Sequence, residues 1–186
     1  MSSTTVYLVR HAEQATGGDG LSALGATQAA LVGRRLAGIP FTGFHHSPLP
    51  RAAETAAIIA GTLTAGAGPH PCELAADRTP VPSPGRRSRY PTRYLPWLDA
   101  VPAGERDEDA AALTDAVDRL TRVGDGDRHE LVVTHRFVAA WFVRHVLGAP
   151  EWRWLVIEQA NTGLNIVRYE PGRPPLLVCA NDTGHL

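Results

Sequence analysis

The chain has 186 residues, of which 44% are apolar and 20% charged, and its formal net charge is −1. Such a length suits one domain that can bury ~70% of its unfolded surface, a core large enough to do without disulfide or metal staples. The composition excludes a disordered chain, and the charge balance excludes a general nucleic-acid or membrane field. All 18 basic residues are arginine. The absence of lysine excludes a lysine Schiff base and a P-loop. Cys72 and Cys179 make no disulfide framework and fit a reducing compartment. No basic stretch followed by an apolar one opens the chain. The longest apolar run, Phe137 to Val143, is too short to span a bilayer. A cytoplasmic protein is the expectation.

Thr5 to Val9 is a short β-branched run of the length of a buried strand. A Gly-rich stretch through Gly20 follows. Ser22 then caps a helix from about Ala23 to Leu36, stopped by Gly38 and Pro40. Phe41 to His46 reads as a second strand. Ser47-Pro48 reads as an N-cap with proline at the first helical position, opening a helix that carries Arg51, Ala52, Ala56 and Ile59. His70 to Leu74 reads as a third strand. Residues 77–104 are rich in proline and arginine, without clear period, and long for a loop, which marks them as a substrate-specificity loop or lid. Asp107 to Val123 predicts an amphipathic helix, Glu130 to Thr134 a fourth strand, and Val138 to Leu147 an apolar helix. Leu155 to Gln159, Asn165 to Tyr169 and Leu176 to Ala180 are late strand candidates. No repeat or linker divides residues 1–186, so they read as one domain.

Strands alternating with helices predict a three-layer α/β/α sandwich on a mostly parallel central sheet. In such sheets ligands bind beyond the carboxyl ends of the strands. Those ends carry Arg10-His11, His46-Ser47 with Arg51 in the next helix, Glu73 and Asp77, and His135-Arg136. Two histidines among arginines at one rim suit a phosphoryl group, because guanidinium binds its oxygens in pairs. A histidine beside arginine charges stays neutral and nucleophilic, and a nearby carboxyl group can protonate a leaving oxygen. That set suffices for phosphoryl transfer to histidine and hydrolysis, with neither metal nor cofactor.

Five segments, in order, resemble the motifs of the histidine phosphatase (phosphoglycerate-mutase-like) superfamily. They are Leu8 to Glu13 (LVRHAE), Leu21 to Ala29, Ser47 to Ala56, Val132 to His135 and Asn161 to Leu164. The resemblance implies that His11 is phosphorylated and that Arg10, Arg51 and His135 bind the phosphoryl group. Its general acid follows the third strand, where Glu73 is the first candidate and Asp77 the second; Asp99 and Glu105 are more distant options. Ser47 is a candidate for a further contact with the phosphate. Arg136 stands where a small or polar residue is usual, and could add a phosphate-binding cation, crowd the pocket, or point to solvent. The Pro-rich segment and the ending Asn181 to Leu186 resemble the Ser/Thr-protein-phosphatase branch. No counterpart of that branch's membrane anchor precedes His11.

The expected activity is a metal-independent phosphomonoesterase, a histidine-type acid phosphatase, acting on a phosphorylated metabolite or a phosphoprotein. A silent phospho-ligand-binding protein and a phosphoglycerate mutase are the alternatives. Neither nucleic acid nor membrane is expected as a partner; a homodimer is compatible with the sequence. His45-His46 is a poor metal pair, because adjacent strand residues face opposite sides. Arg86, Arg87, Arg89 and Arg93 read either as a solvated loop or as a lid attracting acidic substrates.

Overall fold

A computed structural model describes residues 2–186. The strand β1 (Thr4–Arg10) leads through a Gly-rich turn to α1 (Ala23–Leu36) and β2 (Gly43–His46). Ser22 caps α1 as expected, its hydroxyl accepting from the Gly25 amide. The helix α2 (Pro50–Ala60) and β3 (His70–Pro71) follow, then a 3-10 turn at Glu73–Ala75. Next come β4 (Thr79–Val81), α3 (Leu95–Asp99) and β5 (Arg106–Glu108), linked by further 3-10 turns. The chain closes with α4 (Ala111–Leu120), β6 (Arg128–Thr134), α5 (Arg136–Val146), β7 (Leu164–Tyr169) and β8 (Leu176–Asp182).

The main sheet has strand order β3-β2-β6-β1-β7-β8. The first four strands run parallel; β7 pairs antiparallel with β1, and β8 antiparallel with β7. Period-two alternation sends side chains to two cores. Tyr7, Val9, Leu131 and Val133 face α1 and α2, packing on Val32, Leu36, Ala52 and Ile59. Val6, Leu8 and Val132 face α4 and α5, packing on Leu113, Val117, Val138, Phe142 and the buried Trp154. This is the expected three-layer sandwich. β1 and β6 are neighbours in register, Arg10 opposite Thr134, yet the helices that follow them leave for opposite faces. The carboxyl ends of β1 and β6 therefore open a crevice, where open α/β sheets place their ligands.

Four expectations are corrected. Ser47 does not cap α2: the helix starts two residues later, with Leu49 as its cap and Pro50 at the first helical position. A proline disfavours helical backbone in the residue before it, so Leu49 stays extended and the helix waits for Pro50. The third strand stops at Pro71, and residues 73–75 turn as a 3-10 helix. The helix expected from Asp107 starts at Ala111, because the Asp107 carboxylate accepts from the amides of Ala112 and Leu113 at 2.9 Å each and caps it from outside. Leu155 to Gln159 is no strand; residues 151–156 form a 3-10 turn that drives Trp154 into the core.

Residues 77–104 do not form an open lid. They fold as β4, α3 and 3-10 turns, and Tyr90, Leu98 and Val101 are buried in the core. The arginines there are mostly neutralised: Arg87 pairs with Asp99, Arg86 with Asp109 and Glu151, and Arg89 with Glu151. Arg93 stacks on Tyr94.

Candidate active site

His11 is the first residue beyond β1. Its backbone amide donates to Thr134 O at 2.8 Å, which fastens it to the end of β6, and it is 7% exposed. Its ring Nδ1 lies 2.8 Å from the Ala12 carbonyl. A carbonyl only accepts, so Nδ1 carries the proton. Nε2 receives a hydrogen bond from Arg51 Nε at 3.2 Å. A guanidinium only donates, so Nε2 carries a lone pair. Both contacts assign the same neutral tautomer. Burial first, then Arg51 and Arg10, push the imidazole down to about 4, with the Ala12 hydrogen bond opposing. Desolvation, and not the arginine charges expected from the sequence, is the larger cause.

Arg51 is the second residue of α2. Besides His11, its Nη2 holds Asp77 Oδ2 at 2.8 Å and lies 3.3 Å from His135 Nδ1. His135, 2% exposed, begins α5 beside His11, the two ring centroids 5.1 Å apart. Its Nε2 lies 2.7 Å from Ser47 Oγ, and Ser47 is wholly buried. The Ser47 hydroxyl, which also accepts from Leu49 N at 3.3 Å, thus orients His135. Burial, reinforced by the charges of His11, Arg51 and Arg10, holds the His135 imidazole far below its ordinary value. Its 3.3 Å approach to Asp77 Oδ2 is therefore a neutral ring against a carboxyl group. Burial raises Asp77 above the usual carboxylate range, although Arg51 pulls it down.

The two candidate acids are not equivalent. Glu73 and Asp77 line one cavity of about 480 Å³ together with Arg51, Arg78 and Glu105. Asp77 touches both Arg51 and His135; Glu73 makes no hydrogen bond to either. Asp99 is held by Arg87, away from this group. Arg136 does not join the cluster by hydrogen bonding: it pairs with Glu158 at 2.6 Å, half exposed, with its guanidinium over the Phe137 ring.

Arg10 is fixed from the far side. Its Nη1 donates to Gln159 O at 2.7 Å, while its buried Nε has no partner. The segment carrying Gln159 is itself clamped. Asn165 Nδ2 donates to Gln159 Oε1 at 2.7 Å, Asn165 Oδ1 accepts from Asn181 N at 2.9 Å, and Asn181 Oδ1 accepts from Ala160 N at 2.7 Å. Asn161 donates to His11 O at 3.0 Å, and Thr162 N to Arg10 O. Gly163 must be glycine, since a Cβ would lie 2.2 Å from Asn181 Oδ1. On the other side, buried Thr55 accepts from Ala12 N and donates to Arg51 O, locking β1 to α2. Sequence reasoning missed Thr55, Gln159, Asn165 and Asn181. One signal was available: Asn165 is a polar residue inside the apolar strand Leu164-Asn165-Ile166-Val167.

A three-layer sandwich that gathers two histidines and two arginines at its switch point defines a class of α/β proteins with a cationic ligand crevice. The family model for the histidine phosphatase superfamily (branch 1) matches residues 6–183, and the chain belongs to that superfamily. The mitochondrial serine/threonine-protein phosphatase Pgam5 of Caenorhabditis briggsae is 28% identical over 190 residues, covering 100% of this chain and 65% of that protein. The Caenorhabditis elegans protein of the same name is likewise 28% identical over 191 residues. The chain thus spans 65% of the length of these curated relatives. Among solved structures, a phosphoglycerate mutase from Bacillus anthracis aligns with TM-score 0.71 at 15% identity, covering 99% of this chain and 95% of that one. A phosphoserine phosphatase from Entamoeba histolytica aligns with TM-score 0.65 at 20% identity, with 98% of each chain covered. These similarities show a phosphoglycerate-mutase-like fold. Among the described residues, no helix is long and apolar enough to cross a membrane.

Proposed function

We propose that this protein is a phosphomonoester phosphatase that works through a phosphohistidine on His11. The observation that carries the reading is the His11 ring itself: Nδ1–H is spent on Ala12 O, and the Nε2 lone pair faces Arg51, which lines the cavity. The phosphatase names of the relatives and of several fold neighbours support it.

In this mechanism the Nε2 lone pair attacks phosphorus and the bond from phosphorus to the ester oxygen breaks. Asp77, whose pKa burial raises against the pull of Arg51, gives its proton to the departing oxygen. The Asp77 carboxylate then takes a proton from water as that water attacks the phosphohistidine. The P–N bond breaks, inorganic phosphate leaves, and both residues return to their starting state. Arg10, Arg51 and His135 hold the phosphoryl oxygens while charge spreads over them. Asp77 takes precedence over Glu73 because it alone touches Arg51 and His135.

The test is hydrolysis of p-nitrophenyl phosphate with EDTA present, wild type against His11→Ala, with acid-labile phosphate trapped on the protein. Turnover that survives EDTA, disappears in His11→Ala and leaves label on His11 is expected. EDTA-sensitive turnover indifferent to His11 would overturn the reading, as would a folded wild type that neither turns over nor labels. Phosphate transfer to or from 3-phosphoglycerate at a rate above hydrolysis would replace phosphatase by mutase.

A further inference from the structure

A trough of aromatic side chains continues the catalytic cavity on the side of Asp77. Glu105 lines the catalytic cavity and also a second one of about 250 Å³, shared with Thr79, Trp97, Pro102 and Phe137. Trp97 and Phe137 pass on into a third, open cavity of about 250 Å³, which Tyr94, Arg136 and Leu155 also line. The segments that carry the reacting groups run straight into this trough. Thr79 lies two residues beyond Asp77, and Phe137 two beyond His135. A cavity of ~150 Å³ accepts a benzene ring, so either space suffices for an aryl group.

Trp97 is the feature that calls for a partner. It is 46% exposed, whereas Trp141 is 4% and Trp154 1% exposed. It does not hang loose. Leu98, its neighbour in α3, is buried, and the Trp97 ring meets Phe137 at 5.7 Å and Trp154 at 6.2 Å between centroids. The result is a fixed, half-open aromatic face beside a reaction centre, the arrangement that binds flat apolar groups. The charges agree. Glu105 at the junction has no ion pair among the described residues and disfavours an anion there. Arg136 at the far end is already neutralised by Glu158.

We infer that this trough is the leaving-group subsite, and that the preferred substrates are phosphomonoesters of aromatic or bulky apolar, non-anionic alcohols. The inference rests on the phosphatase reading. In that reading Asp77 protonates the departing oxygen, so the leaving group projects past Asp77 toward Glu105 and Trp97.

The test compares 2-phenylethyl phosphate with ethyl phosphate, whose alcohols are of similar acidity, so intrinsic reactivity cancels. For the wild type, kcat/KM is expected to favour the phenylethyl ester by ~10-fold or more, mainly through KM. Trp97→Ala should bring the ratio toward one. Trp97→Leu, which keeps apolar cover on Phe137 and Trp154, should give an intermediate ratio. Thermal melts and ethyl phosphate turnover report that each variant is folded. A wild-type ratio near one, or a ratio that survives in Trp97→Ala, would overturn the inference and leave the phosphatase standing. Failure of both esters together with absence of label on His11 would overturn both.

Discussion

Arg51 Nε donates to His11 Nε2 across 3.2 Å, so the arginine expected to hold the phosphoryl group rests directly on the atom expected to attack it. The other end of the same guanidinium rests on Asp77. In the proposed mechanism nucleophile, cation and acid are thus pre-set in one hydrogen-bonded line, and a phosphate ester would draw Arg51 off both partners before reacting. Arginine suits this because its donors are fixed in one plane and it cannot lose its charge.

Removing the acid should separate Asp77 from Glu73. Asp77→Asn is expected to lower kcat on alkyl phosphates by ~10²- to 10⁴-fold, because a basic leaving oxygen needs its proton. Glu73→Gln should change kcat by no more than a few fold. Steady-state kinetics on ethyl phosphate decide the assignment; the reverse order of effects would restore Glu73.

The dependence of activity on pH follows from two opposed shifts. His11 must be neutral to attack, and its ring loses its proton near 4, so kcat/KM should rise as pH climbs through that value. Asp77 must be protonated to act, and its raised pKa sets the alkaline limb. A bell on the acid side of neutrality is expected from rates across the pH range. Asp77→Asn should remove the alkaline limb and keep the acid one.

Stability should respond to the same histidine. Above about 6.5, His11 is neutral in folded and unfolded chains and contributes nothing to the pH dependence. As pH falls from 6.5 toward 4, the unfolded chain takes up a proton that the folded site refuses. Folding stability is then lost at up to ~1.4 kcal/mol per pH unit from this group. Urea melts at pH 7 and pH 5 should show a smaller difference for His11→Gln than for the wild type.

Asn165 should matter to a site it never touches. It clamps Gln159, whose carbonyl fixes Arg10. Asn165→Leu is expected to weaken inhibition by inorganic phosphate and to lower kcat/KM on the order of 10-fold, through displacement of Arg10. A purely structural asparagine would lower the melting temperature and leave the phosphate inhibition constant of the folded protein unchanged.

The cap at Asp107 offers a test away from the site. Its buried carboxylate satisfies two amides at the start of α4. Asp107→Ala should cost ~1–2 kcal/mol in denaturant melts, with activity retained.

The sequence by itself determined the period and order of the main elements, and with them the sandwich and the arrival of Arg10, His11, Arg51 and His135 at one rim. These are local signals: a β-branched run makes a strand, a Ser cap opens a helix, and an ordered set of motifs marks the strand ends. What only the tertiary structure decided concerns partners distant in sequence. Along the chain Glu73 ranks ahead of Asp77; the hydrogen bond from Arg51 is what favours Asp77 in the fold. Ser47 looks like the cap of α2, but the helix waits for Pro50 and the hydroxyl reaches His135. Gln159 and Asn181 carry no local pattern, and Asn165 only that of one polar residue in an apolar strand, because their work is to satisfy one another's buried polar groups across β7 and β8. The arginines of residues 86–93 read either as a solvated loop or as a lid, and their ion pairing with Asp99, Asp109 and Glu151 is invisible until the chain has folded. Periodicity is written in neighbouring residues, whereas burial and charge pairing arise only when remote ones meet.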